Sequence, residues 1–174
     1  MAIVTIVKAP NPLLDKPTET VEQFGKNTET AETIKDLKDT LDAASEPEGA
    51  GLSANQIGIN KNVCVVRKFF QDPMDPNTQL FEEKVLINPK ITNSSKETET
   101  DWEGCLSVPD TYGKVTRPTK IQITYQDESS TSQKLIAEGF YARVIQHEID
   151  HLNGILFTSK VEGNTVTGDY FKDN

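Results

Sequence analysis

Two histidines and one glutamate form the most chemically informative pattern in this chain. The 174 residues include only two histidines, His147 and His151, which lie four positions apart with Glu148 directly after the first. On an α-helix, residues four apart share one face, so both imidazoles can reach one metal ion. Glu148 would lie beside that face, where it can move a proton rather than bind the metal. The alternative is two helical histidines held only by hydrogen bonds, and the motif favours a metal site over it.

A metal site that performs chemistry needs a third protein ligand and one open position. Downstream, the sequence continues the pattern of one group of metalloproteases but places Phe157 where that group has a third histidine. Other proteases use a later carboxylate, for which Glu162 and Asp169 are the candidates. The short tail leaves little room for the second helix that normally carries such a carboxylate.

The upstream candidate for the third ligand is a cysteine. Of the two cysteines, Cys64 lies in a β-branched segment and is predicted to be a small buried side chain. Cys105 follows Gly104, which lets the backbone turn tightly, and a metal would hold its sulfur as thiolate. An ordinary buried thiol at Cys105 is the alternative. Two imidazoles and a thiolate would suit zinc, iron(II), cobalt or nickel.

The stretch 136–154 is predicted to contain the helix that carries the histidines. Phe140 and Val144 precede His147 by seven and three positions, so an apolar stripe leads up to the ligands. That stripe is either plain core packing or the wall of a pocket. The pair Asn153-Gly154 is predicted to end the helix, because both residues tolerate the left-handed conformation.

Around this helix, β-branched and alternating segments predict antiparallel strands. Ile34, Leu37 and Leu41 recur at helical spacing and predict a surface helix at 30–44. The small residues at 49–58 would let a backbone come close to a ligand or to another strand. The fold class is therefore α+β, a compact single domain over 1–174 with antiparallel strands packed around a central metal-binding helix. The predicted strands are 62–70, 84–91, 114–126 and 134–136, with at most two short strands at 155–161 and 166–171.

Composition excludes several classes of function. The net charge is −9 and no cluster of Lys and Arg appears, so direct nucleic acid binding is not expected. No apolar run approaches the ~20 residues that a membrane span requires, and the start lacks the features of a signal peptide. Two cysteines do not make a disulfide framework, which favours a reducing cytosol and a cytoplasmic location.

Three blocks at 49–56, 103–107 and 146–151 together resemble the peptide deformylase family. They read Gly-Ala-Gly-Leu-Ser-Ala-Asn-Gln, Glu-Gly-Cys-Leu-Ser and Gln-His-Glu-Ile-Asp-His. Shorter segments, such as Ile-Asn-Pro at 87–89, are also similar to the family, and the resemblance covers nearly the whole chain. His-Glu-x-x-His alone marks many metallohydrolases, whereas the three blocks in this order are highly specific.

The resemblance implies a hydrolase that removes the formyl group from the N-terminal formyl-methionine of newly made polypeptides and releases formate. It implies Fe(2+) as the physiological metal, with Zn(2+), Ni(2+) or Co(2+) able to occupy the site. By block matching, Cys105, His147 and His151 would be the metal ligands and Glu148 the general acid and base. Gln56 and the backbone N–H of Leu106 would stabilise the oxyanion. The residues expected to bind substrate are Gly49, Ala50, Gly51, Glu103, Gly104, Phe140 and Val144.

Some roles stay open within this resemblance. Glu103 would orient Arg143 or a neighbouring ligand, and an ion pair without a catalytic part is the alternative. Ser53 stands where alanine is common in the family, and little effect is expected from so small a change. Tyr112 stands where many relatives have an arginine that helps to bind peptide, so that contact is not carried over. Some bacterial members dock on the ribosome through a long basic C-terminal helix, and the short, slightly acidic tail here does not predict such docking.

Two other functions compete with the deformylase prediction. A general metallopeptidase would need a ligand set other than one containing Cys105, so this cysteine decides between the two enzymes. An inactive relative that serves as a binding module would have no need of Glu148. The presence of the complete set argues against the binding module, and its members are Gln56, Cys105, His147, Glu148 and His151.

Overall fold

The computed structural model describes residues 3–23, 25, 28–44 and 49–170. Helix α1 runs over Glu29–Ala43, close to the predicted 30–44, and the hydroxyl of Thr28 caps its start by accepting a hydrogen bond from the Ala31 N–H. The residues predicted to form its buried stripe, Ile34, Leu37 and Leu41, are all buried.

The strands form two antiparallel sheets. A five-stranded sheet has the order β1-β2-β3-β6-β7, and β4 pairs with β5 in a separate two-stranded sheet. Strand β3 is longer than predicted because its first residues pair with β2 in a hairpin whose loop is 72–78. The strand bounds are β1 Gly51–Ser53, β2 Val63–Gln71, β3 Gln79–Ser94, β4 Thr98–Cys105, β5 Val108–Pro118, β6 Lys120–Gln126 and β7 Ser132–Glu138.

Two sequence predictions of strands were wrong. The segment 114–126 is not one strand, because the chain leaves the two-stranded sheet after Pro118 and enters the five-stranded sheet at Lys120. Proline lacks the N–H that would continue a ladder, which suits the end of a strand. The segment 155–161 holds a turn of 3-10 helix at Phe157–Lys160 rather than a strand. Residues 161 and 166 each form only an isolated bridge to β5, and Phe171 lies outside the described residues.

Helix α2, Gly139–Leu152, packs against one face of the five-stranded sheet, and α1 packs against the other. Alternate residues of β2 point to the two helices: Cys64 faces the cluster around α2, whereas Val63 and Val65 face the cluster around α1. A strand covered on both faces has no polar alternation, which explains the unbroken apolar run in β2. Cys64 is fully buried, as predicted.

The opposite side of α2 contacts the two-stranded sheet. Arg143 of α2 donates hydrogen bonds to the backbone carbonyls of Glu99 in β4 and Val115 in β5, each at 2.8 Å. The histidine-bearing helix therefore lies between the two sheets, and the α+β class with a central helix is confirmed. No helix within the described ranges is long and apolar enough to cross a membrane.

Candidate active site

One cysteine and two histidines converge where the end of β4 meets α2. Cys105 is the last residue of β4, and His147 and His151 occupy successive turns of α2. Their ligand atoms all lie within 4.8 Å of one another, and the Cys105 Sγ is 3.1 Å from the His151 Nε2. The helix ends at Leu152, Asn153 caps it and Gly154 has a φ of +72°, so the predicted helix stop at Asn153-Gly154 is confirmed. The spacing in the sequence thus becomes one compact group of three donors.

Glu103 fixes the orientation of the His147 ring. Its Oε2 lies 3.0 Å from the His147 Nδ1, which leaves the Nε2 atom to face the other donors. Its Oε1 accepts a hydrogen bond from Arg143 at 2.8 Å. The two roles considered for Glu103, orienting Arg143 and orienting a neighbouring ligand, are both visible as contacts. Their effect on catalysis stays a prediction.

Arg117 is the second buried partner of Glu103, and the sequence reasoning missed it. Its Nε and Nη2 donate to the two oxygens of Glu103 at 2.5 and 2.9 Å, and its Nη1 donates to Asp150 of α2 at 2.8 Å. Gly113, Val115 and Arg117 alternate along β5 and are all buried. That alternation is the signal that could have placed Arg117 on the inner face.

Charge in this cluster is set by burial and by the arginines. Burial raises the pKa of Glu103, but hydrogen bonds from Arg117 and His147 outweigh it and hold that pKa far below its usual range. Burial lowers the pKa of His147, but hydrogen bonds to Cys105 and Glu103 raise it more, to about 10. The surroundings of the His147 ring therefore favour positive charge at this point.

Glu148 is buried beside the three donors. Its Oε2 accepts a hydrogen bond from the Ser53 hydroxyl at 2.6 Å. Burial raises the pKa of Glu148, although His147 and Ser53 partly oppose that rise. A buried carboxyl group with a raised pKa can take up a proton and release it near neutral pH, as a general acid and base must.

Gln56 points its amide nitrogen toward Cys105. The Gln56 Oε1 accepts from the Ser53 N–H at 2.8 Å, so the Nε2 must face the opposite way. That Nε2 lies 3.2 Å from the Ser107 Oγ and 3.6 Å from the Cys105 Sγ. A buried amide N–H beside the three donors is suited to stabilise a developing negative charge.

A cavity of about 460 Å³ opens onto these groups. Every residue predicted to bind substrate lines it, together with Gln56, Leu106, His147 and Glu148. Val144 is buried in the cavity wall, and Phe140 is 57% exposed at the rim. Phe140 is therefore not an ordinary core residue. Lys8, which sequence reasoning did not select, also lines the cavity and donates to the Leu106 carbonyl at 2.5 Å.

Two glycines are required by close approach at this cavity. A Cβ on Gly51 would lie 2.7 Å from the Oε1 of Glu148, and a Cβ on Gly104 would lie 2.8 Å from the ring of Tyr112. Contacts this short would force Glu148 and Tyr112 to move. The observed positions of these two side chains therefore require glycine at 51 and 104. The small residues in the first and second sequence blocks thus have a direct steric reason.

The three donors fit a divalent transition metal. Burial strongly lowers the pKa of His151, which keeps the ring in the neutral form that binds metals. Among the described residues, no hydrogen-bond partner reaches the buried His151 Nδ1. The ring thus meets the rest of the site through its Nε2, beside the sulfur of Cys105. Two imidazoles and one sulfur suit zinc, iron, cobalt and nickel better than the hard cations.

An α+β fold that gathers this donor set beside a buried glutamate defines the class of metal-dependent hydrolases. Comparison with known proteins specifies the family. Residues 3–166 match the family described as polypeptide deformylase, and the chain belongs to that family. Its members are hydrolases that remove the formyl group from the N-terminus of newly made polypeptides, and the activity expected from the three sequence blocks is confirmed at this level.

Individual relatives agree along most of their length. The chain is 35% identical over 168 residues to the peptide deformylase of Leptospira biflexa, which covers 97% of this chain and 93% of the relative. It is 42% identical over 161 residues to peptide deformylase 1 of Bacillus cereus, which covers 92% of this chain and 94% of the relative. The sequence similarity therefore covers about nine-tenths of both proteins and is not confined to the three motif blocks.

Solved structures of peptide deformylases also resemble this chain over most of its length. A peptide deformylase from Synechococcus elongatus, in complex with actinonin, superposes with a TM-score of 0.78 at 36% identity and covers 92% of this chain and 80% of that one. The Met-Ala-Ser-bound class I type b peptide deformylase from Acinetobacter baumannii gives a TM-score of 0.79 at 30% identity and covers 92% of this chain and 99% of that one. The fold similarity therefore extends over more than the motif-bearing core.

Proposed function

We propose that this chain hydrolyses the formyl amide of N-terminal formyl-methionine with a metal held by Cys105, His147 and His151. The observation that carries the proposal is the convergence of these three donors within 4.8 Å beside a cavity that Glu148 also lines. Fe(2+) is the physiological ion we propose, and Zn(2+), Ni(2+) or Co(2+) can occupy the same donors. Held by these residues, such an ion would supply Lewis acidity, which makes water acidic enough to react near neutral pH.

Glu148 carries the proton in the proposed reaction. The oxygen of water adds to the formyl carbon, and its proton passes to Glu148. Glu148 then gives that proton to the leaving amine as the C–N bond breaks, so that formate and a free N-terminus result. The Ser53 hydroxyl holds one oxygen of Glu148, and the other lies over Gly51 at the cavity, where a substrate would be.

Gln56 and the backbone N–H of Leu106 stabilise the oxyanion that forms when water adds to the formyl carbon. The Gln56 amide is held from behind by the Ser53 N–H, so its own N–H groups are already aimed when the charge appears. Removing one such donor typically costs ~3 kcal/mol in the transition state. Gln56 is therefore expected to affect kcat more than KM.

The substrate backbone is proposed to extend along the edge of β1. This strand is the first in the order of the five-stranded sheet, and Gly49, Ala50 and Gly51 line the cavity beside it. An extended peptide can add to such an edge through backbone hydrogen bonds. Phe140 and Val144 would then contact the methionine side chain, and the tripeptide Met-Ala-Ser in the Acinetobacter neighbour has the residue order of such a product.

The partners we propose are nascent chains that begin with formyl-methionine. Cys105 is free, and a reducing compartment such as the cytosol would keep its sulfur available to the metal. Ribosome docking is not part of this proposal, because no basic segment of the described chain argues for it.

Formate release from a formyl-Met-Ala peptide tests the proposal, using protein loaded with Fe(2+) or Ni(2+) without oxygen. The parent should turn over, and Glu148→Ala should lose nearly all activity while still binding metal. Cys105→Ala should lose the metal, whereas Cys64→Ala, at the fully buried cysteine, should keep it. Equal activity of the parent and Glu148→Ala would remove Glu148 from its role. Activity on unformylated peptides alone would instead favour the general metallopeptidase.

A further inference from the structure

Ser53 lies at the junction of the two side chains proposed to act on the substrate. It is the last residue of β1, is fully buried, and directly precedes the turn of 3-10 helix at Ala54–Ile57. Its hydroxyl lies 2.6 Å from the Oε2 of Glu148 and 3.1 Å from the main-chain carbonyl of the same residue. Its N–H donates to the Oε1 of Gln56 at 2.8 Å.

The single proton of the hydroxyl determines how these contacts are used. The shorter distance assigns it to the Oε2 of Glu148, since a charge-assisted bond between oxygens is both short and strong. With the Oε2 occupied, the Oε1 lies against Gly51 and faces the cavity. A hydroxyl can donate to a carboxylate or accept from a carboxylic acid, so the contact persists in either form of Glu148.

We propose that Ser53 is a positioning residue that fixes the carboxylate of Glu148 relative to the amide of Gln56. Its hydroxyl holds the proton carrier and its N–H holds the oxyanion donor, so that one residue sets the distance between the two functions. This inference rests on the proposed roles of Glu148 and Gln56. The sequence predicted little effect from Ser53, because alanine is common at this position in the family. In this chain the hydroxyl has a specific contact with Glu148.

The two contacts of Ser53 can be separated by mutation. Ser53→Ala keeps the backbone N–H that holds Gln56 but removes the hydroxyl that holds Glu148. The loss of one hydrogen bond to a charged group should lower kcat by about tenfold. KM should change by less than about twofold, since the substrate-binding residues are untouched.

A double-mutant cycle with Glu148→Asp shows whether the effect passes through Glu148. The shorter aspartate should not reach the Ser53 hydroxyl, so Ser53→Ala should change kcat by less than about twofold in that background. A merely structural role would give the same loss in both backgrounds. Thr33→Val is the matched control, because the Thr33 hydroxyl is also buried but donates to the Glu29 carbonyl within α1.

Infrared spectra of the metal-free protein with 13C-labelled glutamate give a second readout that does not depend on turnover. Ser53→Ala should shift the carboxyl band that disappears in Glu148→Gln, and Thr33→Val should leave it in place. If Ser53→Ala does not fold, Ser53→Cys keeps the size of the side chain with a weaker donor, and the same comparisons apply.

The outcomes separate this inference from the proposed function. An inactive Glu148→Ala together with a fully active Ser53→Ala would overturn the role of Ser53 and leave Glu148 intact. An active Glu148→Ala would overturn the proposed function itself. A loss from Ser53→Ala that is equal in both backgrounds, without an infrared shift, would make Ser53 a packing residue only.

Discussion

Two buried arginines in this protein have nearly the same surroundings but different consequences. Arg67 in β2 is 3% exposed and pairs with Asp42 of α1 and Glu83 of β3, while its guanidinium lies 4.2 Å from the centre of the Phe81 ring. Arg117 in β5 is 4% exposed and pairs with Glu103 and Asp150. Each cluster is one arginine held by two carboxylates.

The difference lies in what each carboxylate contacts next. Glu103 is itself buried and reaches the Nδ1 of His147, so the charge of Arg117 is linked to a proposed metal ligand. In the other cluster, the Asp42 side chain is 66% exposed and ends in solvent. A buried ion cluster is therefore not in itself a sign of function. The contact beyond the ion pair distinguishes a cluster that supports a site from one that ties elements together.

The largest effect on metal affinity is expected from Glu103→Gln. The amide cannot satisfy Arg117, Arg143 and His147 together, so His147 loses its orientation and metal affinity should fall 10- to 100-fold. Competition with a coloured chelator would measure the change. Glu83→Gln is the matched variant in the other cluster and should leave metal affinity unaltered. Equal metal affinities for both variants would remove the distinction between the clusters.

The same substitution should change how stability depends on pH. The pKa of Glu103 is held below its usual range in the folded protein, so its charge adds stability above about pH 4.3, the ordinary glutamate value. That contribution is lost as pH falls from this value through the lower folded pKa. The difference in unfolding free energy between the parent and Glu103→Gln should therefore shrink on acidification. A difference that grows toward low pH would contradict the assignment.

Arg117→Met should have the largest effect on stability. It leaves Glu103 and Asp150 without their shared buried partner, and breaking such a pair typically costs about 3–5 kcal/mol. Urea unfolding of the metal-free protein measures this cost. Lys160→Met is the control, because Lys160 touches the same Asp150 from the surface and should cost less than about 1 kcal/mol.

The sequence predicted the parts of the site that depend on short spacing. His147 and His151 share one helical face because of a four-residue interval, and Glu148 lies beside that face. Cys105 is the soft donor that remains once Cys64 is assigned to a buried strand. Helix α1 also followed from local periodicity, and the core of β2 followed from its β-branched content. In the helices and the strand, the residues that determine the geometry are neighbours in the chain.

What the sequence did not predict depends on distant pairing. Pro118 is a local signal for the end of a strand, but no local pattern shows that the chain changes sheet there, from β5 to β6. Arg117 contacts Glu103 across 14 positions and Asp150 across 33, so its role appears only when β4, β5 and α2 come together. Little effect was expected from Ser53 for the same reason, since its partner Glu148 is 95 positions away.

Arg67→Met should lower stability without affecting the site. The carboxylates of Glu83 and Asp42 can turn toward water when the arginine is lost, so the cost should be about 2 kcal/mol, smaller than for Arg117. Methionine can still pack against Phe81, which limits the loss further. Formate release and metal affinity should match those of the parent. A fall in metal affinity as large as that of Glu103→Gln would show that α1 and the site are coupled.

The smallest effect is expected from Asp42→Asn, and its value lies in comparison with Asp150→Asn. Asp42 is largely exposed and lies in the last turn of α1, where a negative charge is unfavourable to the helix dipole. The ion pair with Arg67 and the unfavourable helix dipole oppose each other, so the change in unfolding free energy should be below about 1 kcal/mol and should diminish in salt.

The Asp150 side chain is only 13% exposed and pairs with both Arg117 and Lys160, so Asp150→Asn should cost about 2 kcal/mol and respond less to salt. Equal costs for the two aspartates would mean that burial does not separate the clusters, and the contact of Glu103 with His147 would then be the one remaining difference between them.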